Sequence, residues 1–189
     1  MTSFNLRRHA LKLRAVGLLL ALSQFIALLC GCSALPKASP EEVSEALTAP
    51  FSVNVAVTCR GSEYTAELVK KTDGSYEVKL LSPALFKGME ISFDGETAAV
   101  TYNGLTFTLD PSRLPAASAI KALVSALDGA ALPDELTAET TEDGELAVSG
   151  EGFTLYAERD DARDGFTVSR LEIPEQELVA VFSDFTPAD

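Results

Sequence analysis

The sequence predicts a mainly β domain, α+β in class, built as one large curved antiparallel sheet of about eleven strands with helices on its concave side. Three observations lead there. Short segments from Phe51 almost to the C-terminus alternate apolar and polar residues with a period of two. Between them stand Asp73-Gly74, Asp94-Gly95, Asn103-Gly104, Asp143-Gly144 and Asp164-Gly165, dipeptides that tolerate the positive φ of tight hairpin turns. Only two stretches carry helical signatures.

The first of these opens at Ser39-Pro40-Glu41-Glu42, which reads as an N-cap, a proline at the first helical position and a capping-box glutamate, with the helix running to about Thr48. Phe51, Val53, Val55, Val57 and Cys59 then alternate with Ser52, Asn54, Ala56 and Thr58 in a half-buried strand. Strands follow over Tyr64–Lys71, Ser75–Leu81, Met89–Phe93, Thr97–Tyr102 and Leu105–Leu109, with a longer link at Ser82–Gly88. Pro111 and Pro115 stop the strands. Ile120, Leu123, Val124 and Leu127 fall at i, i+3, i+4 and i+7 on a helix expected to end at Asp128-Gly129. A second strand set covers Leu136–Thr141, Glu145–Gly150, Phe153–Arg159, Phe166–Ile173 and Glu177–Phe185. The apolar phase shifts between Val168 and Leu171, which predicts a bulge near Arg170. Leu178 to Phe182 is apolar in every position and is expected to be covered on both faces.

The N-terminus reads as an export signal. Arg7, Arg8, Lys12 and Arg14 precede an apolar run from Ala15 to Leu29, which closes on Leu29-Cys30-Gly31-Cys32. That order of leucine, small residue and cysteine is a lipoprotein cleavage site. It predicts removal of residues 1–31, lipid on Cys32, a tether over residues 32–38, and a folded domain over 39–189 on the extracytoplasmic face of the cell membrane. The alternative is an uncleaved apolar anchor, weakened by the polar Ser23 and Gln24.

Cleavage removes four of the 15 Lys and Arg and none of the 28 Asp and Glu, leaving 11 against 28 and a net charge of -17. The one histidine, His9, leaves as well. Without histidine the domain builds no Ser-His-Asp or Cys-His system and no histidine zinc site. Its acidity opposes nucleic-acid binding, which needs a Lys and Arg footprint. With Cys30 removed and Cys32 lipidated, Cys59 remains as one thiol and no disulfide framework exists. Cys59 reads either as a redox site or, preferably, as a small buried residue on the apolar face of its strand. The turn Glu158–Gly165 concentrates carboxylates but lacks the spaced ligands of a calcium loop, and it reads as a solvated hairpin tip. Gly150-Glu151-Gly152 is too short for a phosphate loop and lies between strands. No catalytic constellation, cofactor motif or metal site is expected.

The run Ser82-Pro83-Ala84-Leu85-Phe86-Lys87-Gly88-Met89-Glu90-Ile91-Ser92-Phe93-Asp94-Gly95, followed by Tyr102-Asn103-Gly104-Leu105, resembles the extracytoplasmic lipoproteins of Gram-positive bacteria that are similar to the carriers LolA and LolB. The resemblance spans roughly Phe51 to Phe185. It implies an unclosed antiparallel β-barrel of eleven strands with a helical lid over an apolar cavity, binding a lipid or acyl chain without chemistry. The soluble carrier of that superfamily has no lipid of its own, so an anchored chain cannot shuttle between membranes. It can hold a ligand near one membrane, or use the same cup to grip a protein, and the resemblance to relatives in spore-forming bacteria implies protein partners as that second reading.

A ligand cup would be lined by Val53, Val55, Val57, Tyr64, Leu68, Tyr76, Val78, Leu80, Ile91 and Phe93, with Ile120, Leu123 and Leu127 from the lid. The plainer alternative is that these residues are core, and the two differ in whether roughly 300 Å³ of room exists. The expected partners are the membrane through Cys32, an apolar ligand and, as the alternative, an envelope protein acting on the acidic surface and sheet edge.

Overall fold

The computed structural model describes residues 39–93, 97–109, 115–160 and 165–187. The predicted export signal, Cys32, the expected tether to residue 38, the Asp94-Gly95 dipeptide, Pro111 and residues 161–164 of the acidic segment lie outside them. Among the described residues, no helix is long and apolar enough to cross a membrane.

Helix α1 spans Pro40–Thr48, and Glu42 reaches back to accept a 3.2 Å hydrogen bond from the Ser39 backbone N–H, as the capping pattern predicts. It buries Val43 and Leu47. Its Ser44 hydroxyl donates to the Ala131 carbonyl at 2.7 Å, which ties α1 to the chain leaving the second helix.

The strands are β1 (Phe51–Cys59), β2 (Ser62–Lys70), β3 (Tyr76–Ser82), β4 (Glu90–Phe93), β5 (Ala98–Tyr102) and β6 (Leu105–Leu109), then helix α2 (Pro115–Ala130), then β7 (Thr137–Thr140), β8 (Leu146–Gly150), β9 (Phe153–Asp160), β10 (Gly165–Ile173) and β11 (Leu178–Pro187). All eleven form one antiparallel sheet in the order β6-β5-β4-β3-β2-β1-β11-β10-β9-β8-β7. Two meanders thus meet where β1 pairs with β11, so the first and last strands of the domain close its centre. The sheet does not close on itself: β6 and β7 are its two edges. This is the unclosed antiparallel architecture with two helices that the sequence predicts.

Period-two burial fixes the register. Phe51, Val53, Val55 and Val57 of β1 point inward beside Tyr64, Ala66, Leu68 and Lys70 of β2. A one-residue slip would move each set to solvent. Asn103 and Gly104 take φ of 50° and 77°, the pair of positive values that a type I′ hairpin turn requires between β5 and β6. The predicted bulge is at Ser169: Val168 pairs with Ala157, Arg170 with Tyr156, and Ser169 is the extra residue. It lets Val168 and Leu171, three residues apart, both reach the core. The Ser169 hydroxyl is bonded to the Tyr156 carbonyl and to Glu145 Oε1, each at 3.2 Å.

Two expectations need correction. Helix α2 runs one residue past Asp128-Gly129, to Ala130, where the backbone N–H groups of Ala131 and Leu132 bond back to the Leu127 and Gly129 carbonyls. The last strand is not covered on both faces. Leu178, Ala180 and Phe182 are buried, whereas Val179 is 39% and Val181 51% exposed. Both helices pack into the same buried cluster as the inward strand residues, which leaves the outer face of β11 to solvent.

Candidate functional site

The thirteen positions nominated for the cup come together. Val53, Val55, Val57, Tyr64, Leu68, Tyr76, Val78, Leu80, Ile91 and Phe93 from the sheet, and Ile120, Leu123 and Leu127 from α2, are all buried in one continuous cluster. Helix α2 lies over the strand residues as a lid and also contributes Ala116, Ala117, Ala119 and Ala130, small side chains that let its backbone settle close to the sheet.

A polar latch holds the lid at its C-terminal end. The Tyr76 hydroxyl donates to Asp128 Oδ1 at 2.7 Å, and Lys70 Nζ lies 3.5 Å from the same oxygen. Lys70 also donates to the Leu47 carbonyl at 2.8 Å, at the end of α1, and its ammonium stands 5.3 Å from the centre of the Tyr76 ring. One buried lysine on the sheet therefore holds both helices. Burial, followed by the hydrogen bond and charge of Asp128, pushes the Tyr76 phenol far above its ordinary value, so it remains a donor well into the alkaline range.

Beside the lid runs a groove of about 470 Å³. Ser118, Ala122, Ser125 and Gly129 follow one another on the face of α2 turned away from Leu123 and Leu127, and form one wall. The opposite wall is Leu136, the Gly150–Phe153 hairpin end and Ile173. Lys121, Glu151, Glu175 and Gln176 rim it with polar groups. The groove contains none of the thirteen nominated side chains, but its Ala126, Phe153 and Ile173 belong to the same buried cluster.

Phe153 is the joint between the groove and the core. A Cβ placed on Gly150 would stand 2.5 Å from two atoms of its ring, and one placed on Gly129 would stand 3.0 Å from one of them. Both glycines are thus the residues that let the ring lie between the β8–β9 hairpin and the end of the lid. Gly150 has a packing role in place of the phosphate-loop role that its neighbourhood superficially suggests.

Sequence reasoning missed Lys70, Asp128, Phe153 and the two glycines. The signal for Lys70 was present, since it continues the inward series Tyr64, Ala66, Leu68 as a charge in an apolar phase. Cys59 is half-buried and not fully enclosed, with Sγ 3.5 Å from the Gln176 carbonyl. Among the described residues, no group of three His, Cys, Asp or Glu is placed to hold a metal ion.

No family model matches the chain, and no curated protein matches it. Solved structures similar to it include an uncharacterized conserved protein from Thermus thermophilus, at 13% identity and a TM-score of 0.47, covering 78% of this chain and 84% of that one. A LolA superfamily protein from Nitrosomonas europaea is similar at 14% identity and a TM-score of 0.42, covering 80% and 94%. LprF from Mycobacterium bovis is similar at 15% identity and a TM-score of 0.43, covering 79% and 92%.

Proposed function

We propose that the protein is an extracytoplasmic lipoprotein, held in the cell membrane by lipid on Cys32, whose lidded half-barrel takes up an acyl chain or another apolar ligand and performs no chemistry. The observation that carries this reading is the 470 Å³ groove, which exceeds the ~300 Å³ of a small ligand site and takes apolar lining from Ala122, Ala126, Leu136, Phe153 and Ile173. Phe153 and Ile173 belong both to the lining of the groove and to the buried cluster under the lid. A ligand chain lies first in the groove and reaches Val53, Val55, Val57, Tyr64, Leu68, Tyr76, Val78, Leu80, Ile91, Phe93, Ile120, Leu123 and Leu127 when the ring turns and the lid rises. The polar rim suits a head group left outside.

Transfer of a fluorescent fatty acid to the membrane-bound full-length protein tests the reading. Wild-type protein gives saturable uptake, and Ala122→Trp, which fills the groove from the exposed side of the lid, lowers it at least tenfold. Unsaturable uptake, or uptake unchanged in Ala122→Trp, contradicts the reading.

A further inference from the structure

The two edges of the sheet differ. β7 is four residues long, carries Glu139, and is flanked by Asp134 and Glu135 on one side and Glu142 and Asp143 on the other. Charged, short edges of this kind resist pairing with another strand. At the other edge, residues 97–109, Thr-Ala-Ala-Val-Thr-Tyr-Asn-Gly-Leu-Thr-Phe-Thr-Leu, contain no charged residue, in a chain where 23% are charged. Leu105, Thr106, Phe107 and Thr108 of β6 are all exposed, Leu105 at 61% and Phe107 at 50%. On one side β6 pairs with β5, and on its other side no described strand stands.

We propose that β6 is a self-complementary edge through which two copies of this chain pair, antiparallel about Phe107, into one continuous sheet. The sequence of β6, Leu-Thr-Phe-Thr-Leu, reads the same in both directions. A two-fold axis at Phe107 therefore places Phe107 opposite Phe107, Thr106 opposite Thr108, and Leu105 opposite Leu109 of the second copy, the self-matching arrangement that a symmetric dimer requires. Faces match as well as register. Phe107 pairs with the buried Val100 and shares its face, while Thr106 pairs with Thr101 on the other face and lies 2.9 Å from it, hydroxyl to hydroxyl. Aromatic and threonine side chains would each meet their own kind across the new ladder.

Charge selects the same occupant. Two copies of so acidic a chain repel wherever carboxylates approach within a Debye length of about 8 Å. The uncharged β5–β6 hairpin is the sheet edge at which they meet without that opposition. A five-residue ladder buries less than the ~1,200 Å² of a standard stable interface, so the pairing is reversible and populated where the chains are concentrated. It does not depend on ligand uptake.

The test is cysteine crosslinking of the full chain in its membrane, in a Cys59→Ser background that by itself forms no dimer. Phe107→Cys is expected to give a disulfide-linked dimer on mild oxidation, because residues at the axis bring Cα atoms within the ~4.4–6.8 Å that a disulfide spans. Thr106→Cys and Thr108→Cys chains produced together are expected to crosslink to each other at least fivefold more than either alone. Ala138→Cys, on the β7 edge, is expected to give none. Absence of the Phe107→Cys dimer, equal crosslinking at Ala138→Cys, no preference for the mixed 106 and 108 pair, or a crosslink from Phe107→Cys to a different protein each overturns the proposal.

Discussion

Tyr76 of β3 and Asp128 of α2 are joined by a 2.7 Å hydrogen bond across 52 residues of sequence, and Lys70 reaches the same carboxylate from β2. The bond occupies the end of the lid that borders the groove, since the next residue, Gly129, is one of the groove's walls. Asp128 is half-exposed while Lys70 is buried, so the carboxylate is the partner that leaves into water at low cost if the lid lifts. Lys70 would retain the Leu47 carbonyl as a partner in that state. The latch therefore restrains the lid, because lifting it leaves the buried Lys70 ammonium without its counter-ion.

Asp128→Ala is expected to lower stability by about 1–2 kcal/mol, the scale of a hydrogen bond to a charged group discounted for the exposure of the carboxylate. Amide exchange across residues 115–130 should quicken more than exchange in β1 or β11. Equal quickening across the sheet would mean that Asp128 supports the whole domain and does not specifically restrain the lid.

Tyr76 makes stability depend on pH on the alkaline side. Its folded-state pKa lies far above the unfolded value of about 10, so the unfolded chain releases the phenolic proton first. The contribution is present in full below about pH 10 and is lost as pH rises beyond it. Denaturation midpoints measured from pH 8 to 11 should fall at the upper end in the wild-type protein, and fall less steeply in Tyr76→Phe.

Gly150→Ala places a Cβ 2.5 Å from the Phe153 ring and should cost roughly 1–3 kcal/mol by overpacking. Phe153→Ala should cost about 3 kcal/mol through loss of a buried aromatic. The two sites share one contact, so the double variant should be less destabilised than the sum of the single changes, as read by urea denaturation. Strict additivity would show that the ring does not rest on Gly150.

Cys32→Ser removes the cleavage site together with the lipid acceptor, so the variant should keep residues 1–31, whereas the wild-type protein should have the mass of a chain that begins at a lipid-bearing Cys32. A wild-type protein that still carries residues 1–31 would point instead to an uncleaved apolar anchor.

The sheet was largely legible in the sequence because its signals are local. Alternation from Phe51 to Cys59, the Asn103-Gly104 turn and the phase change between Val168 and Leu171 each reflect backbone geometry within a few residues. The groove was not legible, because Gly129, Gly150 and Phe153 meet only after α2 packs against the β8–β9 hairpin. The role of Asp128 was not legible either, because nothing nearby in the sequence reports that Tyr76 lies beneath it. The exposed valines of β11 show the opposite failure. An apolar run says that a strand tolerates burial on both faces, but only the placement of the helices decides whether the second face is covered.

Native mass spectrometry of the intact protein, extracted from its membrane in mild detergent, tests the central claim most directly. The account predicts a noncovalent lipid mass in addition to the lipid on Cys32, lost on denaturation and diminished in Ala122→Trp. A protein that carries only its covalent lipid, and takes up none when offered, would contradict it.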